Sequence, residues 1–398
     1  MFKSKNTIFF IGTILKIEPK KDHKLSTSIN DSQRIRVLHI LHTLSMGGME
    51  NRVVRLASGL NPEVYQITIL TFRKSNGPQI LLPPSIQVSF LEILSGIHPK
   101  TLLKLTQFIR RGQFDIVHTH NWGSMFYGVI AAKLAGTRII FQGEHGLEGQ
   151  GAIPWKRLFA QRILARFVTR VVAVNLPIAR NVKQSWLIPE KKILCIPNGV
   201  NLEKFHPVLE RISEPIIFGS IMRFGAVKNI PSILAAFRLL LLKNGRNSAR
   251  LILVGSGPEM SRVQNLIQEY AIEGLVELPG DTHNPEIFYK KFSVYLNASL
   301  FEGMSNTILE AMACGLPVIA SDVDGNKNLI VNTDAAPVGL LFRSNIPEDL
   351  AEKMQILLSN KLMIEKMGEA ARQLVELKFD NKNFLASYHQ AYADCLNK

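Results

Sequence analysis

Short runs rich in Val, Ile and Leu alternate along this chain with longer stretches of helical spacing, and the series restarts once near the middle. Strands joined through helices lie parallel, and a parallel sheet needs helices on both of its faces. In the first half the strand-like runs are residues 35–41, 65–70, 115–118, 138–141, 171–174 and 193–196. Helical patterns such as 49–60 and 102–111 lie between them. The second half restarts at 216–219 and continues through 250–254, 275–278, 294–297 and 318–320. The expected fold class is α/β, with two Rossmann-like, doubly wound units facing a central cleft. Ligands of such sheets bind outside the C-terminal ends of the strands. The stretch from Pro197-Asn198-Gly199-Val200 to Pro215 has little periodicity and marks the boundary. The domain reading is an extension over 1–33, a first unit over 34–205, a second over 206–380, and a final helix over 381–398. The last helical patterns, near 347–357 and 384–393, are expected to pack back across the cleft.

With 398 residues and 46% apolar content, the chain has enough material for two full cores. Cys195, Cys314 and Cys395 lie far apart with no CxxC spacing, which suits a reducing compartment and argues against a zinc site or disulfide framework. The apolar run 7–15 is flanked by lysines and is too short to span a bilayer. A cytoplasmic protein is expected, either free or in peripheral contact with the inner face of a membrane. The excess of 47 Lys+Arg over 32 Asp+Glu, a net charge of +15, favours anionic partners or anionic membrane surfaces. Part of that excess lies on a helical pattern where Trp155, Leu158, Phe159, Arg162, Ile163 and Arg166 follow one another at helical spacing. Such a helix either docks on anionic lipid or covers the core with a solvated face. Nucleic acid is a poor partner, because the chain carries neither a recognition-helix motif nor interleaved stacking aromatics.

The densest local signal is Phe301-Glu302-Gly303-Met304-Ser305-Asn306-Thr307-Ile308-Leu309-Glu310, which runs on to Gly315 and Pro317. Two carboxylates bracket a small-residue turn that feeds a helix. Gly303 permits close backbone approach, Ser305 or Asn306 can cap the helix, and the helix start favours an anion. Amides for phosphate and carboxylates for sugar hydroxyls suit a phosphorylated, polyhydroxylated ligand; the plain alternative is a capped helix with an acid placed for its dipole. Gly47-Gly48 stands at a strand-to-helix turn but does not form GxGxxG, so a nicotinamide dinucleotide is a poor fit. Arg223 follows a strand and Lys228 opens the next helix. Together they could clamp a diphosphate, or merely be a solvated pair. His118 and His120 share one face of a strand. With His145 they suggest metal ligands, but further ligands at recognisable spacing are missing, and polar groups contacting a ligand fit better. His118 also reads as a satisfied core histidine. Asp322-Val323-Asp324 matches a short metal-binding pattern common by chance, and no metal or other cofactor is expected.

In their order these pieces resemble the retaining glycosyltransferases of family 4, which have the GT-B fold. The resemblance spans about residues 35–395 and is strongest over 302–320. Met46-Gly47-Gly48-Met49-Glu50-Asn51, Gly143-Glu144-His145-Gly146 and Pro197-Asn198-Gly199-Val200 are similar to a bacterial subgroup that builds exopolysaccharide and surface glycans. The resemblance implies transfer of a hexose or N-acetylhexosamine from a nucleoside diphosphate sugar to a glycan or lipid-linked acceptor. By position, Arg223 and Lys228 would hold the diphosphate, with amides at Gly47, Gly48 and from Gly303 and Met304 through Ser305, Asn306 and Thr307. Glu310 would accept from the ribose hydroxyls and Glu302 would contact the donor sugar. His120 would lie near the reacting sugar and acceptor, with Glu144 and His145 on the acceptor side. Met222 stands where a glycine commonly precedes the arginine, and Asp324 and Asn328 replace a usual glycine and glutamate. The alternatives are a sugar-nucleotide epimerase, a phosphorylase, and a non-catalytic nucleotide-sugar scaffold.

Overall fold

A computed structural model of the protein describes residues 34–45, 47–74, 82–93, 98–146, 153–208, 214–330 and 337–397. The extension over 1–33 and Met46 of the glycine turn lie outside these. The first unit alternates β1 (Ile35–Leu41), α1 (Gly48–Gly59), β2 (Tyr65–Thr71), β3 (Gln87–Phe90), α2 (Pro99–Gly112), β4 (Ile116–His120) and α3 (Asn121–Ala135). It continues with β5 (Ile139–Glu144), α4 (Trp155–Phe167), β6 (Arg170–Ala173), α5 (Leu176–Trp186) and β7 (Ile193–Cys195). The second runs β8 (Ile216–Ile221), α6 (Ile230–Asn244), β9 (Ala249–Val254), α7 (Met260–Glu269), β10 (Val276–Gly280), α8 (Glu286–Tyr289) and β11 (Val294–Asn297). After these come α9 (Asn306–Ala313), β12 (Val318–Ser321), α10 (Asp324–Lys327), β13 (Gly339–Phe342), α11 (Pro347–Leu358), α12 (Lys361–Lys378) and α13 (Asn381–Leu396).

Every paired strand is parallel, in the orders β3-β2-β1-β4-β5-β6-β7 and β10-β9-β8-β11-β12-β13. Strand order reverses between β1 and β4 and again between β8 and β11, and these switch points open the crevices where ligands bind. The period-2 alternation of β1 explains the layers. Leu38 and Ile40 join the core under α2, α3, α4 and α5, while Val37 and Leu41 join the one under α1 and α13.

The two final helical patterns behave differently. Residues Leu350, Met354 and Leu357 of α11 are buried in the core with α6, so this helix stays with the second sheet rather than crossing the cleft. Phe384, Tyr388 and Tyr392 of α13 are buried against Val37, Leu41 and Phe141 of the first sheet. Val200 N donates to Phe379 O at 2.8 Å and Asn381 N to Val200 O at 3.0 Å, so the two crossings between units run side by side. Strands β3 and β13 escape the sequence pattern: β3 is an edge strand with no buried residue, and β13 is only four residues long. Among the described residues no helix is long and apolar enough to cross a membrane.

Candidate functional site between the two sheets

Past the end of β11 the chain turns sharply before α9, and a buried polar network fixes the turn. Asn326 Nδ2 donates to Asn297 Oδ1 at 3.3 Å and to Ser321 O at 3.1 Å, and Ser321 Oγ donates to Ser299 O at 2.5 Å. Ser299 Oγ in turn donates to Glu302 Oε1 at 2.8 Å. The same oxygen lies 2.5 Å from Lys228 Nζ, with the two side chains 12% and 30% exposed, so this pair stands at the wall of the cleft. Lys228 ends a 3₁₀ turn, Ala226–Lys228, that follows β8, and Leu300 N donates to Val227 O at 2.8 Å, joining the two loops. Beside them Phe224 is wholly buried, with its amide on Ser256 O at 2.7 Å and its carbonyl accepting from Glu259 N at 3.0 Å. This anchor presents the adjacent Arg223, which is exposed and has no ion-pair partner among the described residues. The two cations are therefore in different states: Lys228 is spent on Glu302 and Arg223 is uncommitted.

The helix start meets the first unit directly. Ser305, not Asn306, caps α9, its Oγ accepting from Ile308 N at 3.3 Å. Asn306 instead donates through Nδ2 to Gly48 O at 3.1 Å, and its Oδ1 accepts from Asn198 Nδ2 at 2.9 Å. Asn198 is 4% exposed and also receives a hydrogen bond from the buried Arg52, which donates to Tyr388 Oη at 3.0 Å as well. Asn175 Nδ2 donates to Gly303 O at 2.6 Å. A Cβ on Gly303 would lie 2.1 Å from His145 O, so this backbone contact between the units tolerates glycine alone. Gly303→Ala is expected either to cost about 1–3 kcal/mol of stability by overpacking or to hold the cleft open. The two show as a lower melting temperature or a larger radius of gyration by X-ray scattering. A variant unchanged in both would refute the close approach.

Glu310 lies one turn into α9 with its side chain 13% exposed. Oε2 accepts from Tyr289 Oη at 2.9 Å, and Oε1 is 3.8 Å from Arg55 Nη2 of the first unit. Burial pushes the Glu310 carboxyl up, opposed first by Arg55 and then by the Tyr289 hydrogen bond. Arg55, Tyr289, Asn175 and Asn198 are site residues that sequence reasoning missed. Arg55 reads as an ordinary member of the 49–60 helical pattern, nothing local marks Tyr289, and Asn198 sits in Pro197-Asn198-Gly199-Val200 with nothing local to mark its role.

At the other switch point four histidines pack together. His39 Nδ1 is 3.0 Å from His120 Nε2, and His120 Nδ1 is 2.9 Å from His145 Nε2, so both nitrogens of His120 are engaged. The His118 and His120 rings stack with centroids 4.3 Å apart, and His118 Nδ1 is 2.8 Å from Tyr392 Oη of α13. Gly143 makes room for this group, since a Cβ there would lie 2.8 Å from both His120 Nδ1 and His145 Nε2. His120 is 2% exposed, so the structure sets it within this cluster rather than on the open wall of the cleft. His39, His118 and His120 each offer a nitrogen within 4.8 Å of the others, and among the described residues no carboxylate joins them. The further histidine that the sequence lacked is thus His39, which pairs in register with His118 across β1 and β4. The contacts near 3 Å are those of a hydrogen-bonded chain. Glu144 ends β5 and accepts from Gln142 Nε2 at 2.8 Å.

Between α5 and the Glu302 turn lies a cleft of about 720 Å³, lined by Asn175, Ile178, Arg180, Phe301, Glu302 and Asp324, among others. Asp322 accepts from Ser344 N at 2.9 Å, while Asp324 is exposed at the start of α10, so the two aspartates do different things. Asn328 Nδ2 donates to Asp324 O at 2.5 Å, a local bond within that short helix end.

Two family descriptions match this sequence: Glycosyltransferase Family 4 over residues 46–204, and Glycosyl transferases group 1 over residues 202–374. A UDP-Gal:alpha-D-GlcNAc-diphosphoundecaprenol alpha-1,3-galactosyltransferase of Escherichia coli is 26% identical over 324 residues, covering 75% of this chain and 82% of that protein. The capsular polysaccharide biosynthesis glycosyltransferase CapM of Staphylococcus aureus is 25% identical over 303 residues, covering 71% and 77%. Among solved structures, HepE of Anabaena in complex with UDP aligns with a TM-score of 0.76 at 17% identity, covering 91% of this chain and 100% of that one. That last likeness is one of fold.

Proposed function

This chain belongs to glycosyltransferase family 4 and has the GT-B fold, and from that premise we propose which transfer it performs. It moves a hexose or N-acetylhexosamine from a nucleoside diphosphate sugar to a glycan or lipid-linked acceptor, with retention of configuration. The observation that carries this reading is the meeting of Lys228, Glu302, the capped start of α9 and Gly48 at one wall of the cleft, with Arg223 uncommitted beside them. A donor diphosphate needs cations and amide donors held ready for charge as it develops, and such preorganised groups supply most of the rate enhancement in chemistry of this kind.

In this reading the bond from the anomeric carbon to the diphosphate oxygen breaks, and the diphosphate leaves with the electron pair. Arg223, Lys228 and the amides from Gly303 to Thr307 take up its charge, with Gly47 and Gly48 closing from the other unit. The acceptor hydroxyl attacks on the face the diphosphate leaves, and its proton passes to a diphosphate oxygen. Glu302, held by Ser299 and Lys228, orients the donor sugar. Glu310 binds the ribose hydroxyls, which replace the long Arg55 contact. His120, braced by His39 and His145, fixes the wall beside the reacting carbon, with Glu144 and His145 on the acceptor side. This reading needs no metal, because Arg223, Lys228 and the amides would take up the charge of the leaving group.

The test is nucleotide release from a panel of UDP-, GDP- and ADP-sugars without acceptor, for wild type and Glu310→Ala. Slow release from one donor, surviving a metal chelator and lost in the variant, is expected. Conversion of the donor to an isomeric sugar nucleotide would identify an epimerase, and failure to bind any donor would remove the reading.

A further inference from the structure

Four helices, α2, α3, α4 and α5, cover one face of the first sheet. They carry eleven lysines and arginines, four in α2, one in α3, four in α4 and two in α5, and no aspartate or glutamate. The acids nearest in sequence are Asp115, just beyond α2, which accepts from Arg36 N at 2.8 Å, and Glu190, just beyond α5, which pairs with Lys183 at 2.6 Å. A helical layer entirely free of carboxylates has a single-signed field, and that field is the electrostatic footprint of an anionic partner.

The same layer turns apolar residues outward. Trp155, Phe159, Ile163 and Phe167 follow one another at four-residue intervals along α4, and they are 73%, 60%, 39% and 47% exposed. Spacing by four puts them on one side of the helix. The opposite side docks through Gln161, Leu164 and Ala165, so the larger apolar groups are the ones left in water. Lys156 and Arg166 are exposed beside the stripe, with Lys156 Nζ 5.7 Å from the Trp155 ring centre. Lys192 Nζ donates to Ala165 O, Arg166 O and Val168 O at 3.3, 3.0 and 2.8 Å, which holds the end of α4 in place and keeps the stripe facing out.

We infer that this layer is a docking surface for an anionic phospholipid bilayer, with the α4 stripe seated at the depth where headgroups meet acyl chains. Aromatic and aliphatic side chains flanked by cations match that boundary. A second copy of this chain is a poor occupant, because it would set two carboxylate-free layers against each other. α4 follows the C-terminal end of β5, so its Trp155 end lies toward the cleft and Phe167 away from it. Docking would therefore bring the acceptor side of the cleft close to the bilayer. The inference does not depend on the reaction proposed above.

The test is sedimentation of the full chain with vesicles of phosphatidylcholine, with and without phosphatidylglycerol. The same samples are assayed for release of nucleotide from a soluble donor. Binding is expected only with the anionic lipid, with a blue shift of tryptophan emission. The double variants Trp155→Ser/Phe159→Ser and Lys156→Glu/Arg166→Glu should each weaken it by about tenfold or more, since each removes one of the two attractions. Both alter exposed side chains, so the melting temperature and release from the soluble donor should stay as in wild type. Absence of binding, equal binding to phosphatidylcholine alone, or binding unchanged in both variants would overturn the inference. A wild-type dimer in light scattering that the same substitutions dissociate would overturn it too, by giving the face to a second copy. Loss of release with vesicle binding intact would count against the proposed reaction alone.

Discussion

Alanine in place of Lys228 is expected to lower turnover about 10²–10³-fold while the protein stays folded, by analogy with removal of one preorganised donor from an oxyanion site. The lysine stands where two loops from the second sheet converge, its Nζ 2.5 Å from Glu302 Oε1. Two effects combine in the variant. The leaving diphosphate loses a cation, and Glu302 keeps its hydrogen bond from Ser299 but loses its counter-charge, so the donor phosphates meet an unpaired carboxylate. If the cation acts on charge that develops in the transition state, the loss appears in kcat; a loss confined to KM would make Lys228 an ordinary binding group. Lys228→Arg should recover part of the rate, because the charge returns on a different fork of donors. Lys228→Ala with Glu302→Gln should cost less than the two single changes together, as expected for a directly coupled pair. A Lys228→Ala protein that turns over like wild type would remove the diphosphate role from this residue.

How far the site could be read in the sequence follows from which contacts are local. The turn from Phe301 to Thr307 is legible because Gly303, the Ser305 cap and the helix after it lie within a few positions of one another. The strands are legible because a sheet covered on both faces makes each strand a short, nearly continuous apolar run. What escapes is whatever the sheet order brings together. Lys228 and Glu302 are 74 positions apart, and Arg55 and Glu310 meet across the cleft, so neither pairing can be read from the sequence even where its members can. His39 sits in an apolar strand and gains its meaning only from its register with His118. The pattern of α4 shows that the helix has two faces, but not which one is inward. In the structure Leu164 and Ala165 are buried, and Phe159 and Ile163 stay out. The return of α13 to the first unit is legible as a final helical pattern, but the partners of its tyrosines are not. Tyr388 and Tyr392 become part of the first core only because the chain returns after α12.

Acid is expected to destabilise this protein steeply from about pH 6.5 downward, and the buried histidines supply the reason. Burial pushes His39 down to about 3. His118 and His120 are held well below the usual histidine range, first by burial and then by neighbouring histidines and Arg52; burial and Arg52 do the same for His145. Folded-state values are depressed, so these groups stay neutral in the native protein while the unfolded chain takes up protons near 6.5. The stability they contribute is therefore complete above that pH and is lost as pH falls toward the native values. Each such histidine removes about 1.4 kcal/mol per pH unit, so four remove at most about 5–6 kcal/mol per unit, against the 5–15 kcal/mol typical of a whole domain. Glu310 acts in the opposite sense. Its carboxyl is raised by burial, so the native state binds its proton more readily and gains stability as pH falls toward the carboxylate range. One such group offsets about 1.4 kcal/mol per unit within that window, and the histidines outweigh it. Melting temperature measured from neutral pH down to about 5 should fall throughout, with the unfolding free energy losing several protons' worth of slope. His39→Gln keeps a hydrogen-bonding side chain next to His120 and removes one titrating group, so its curve should be shallower by one proton. A melting temperature flat over this range, or a variant curve parallel to wild type, would show that the cluster already carries protons in the folded protein.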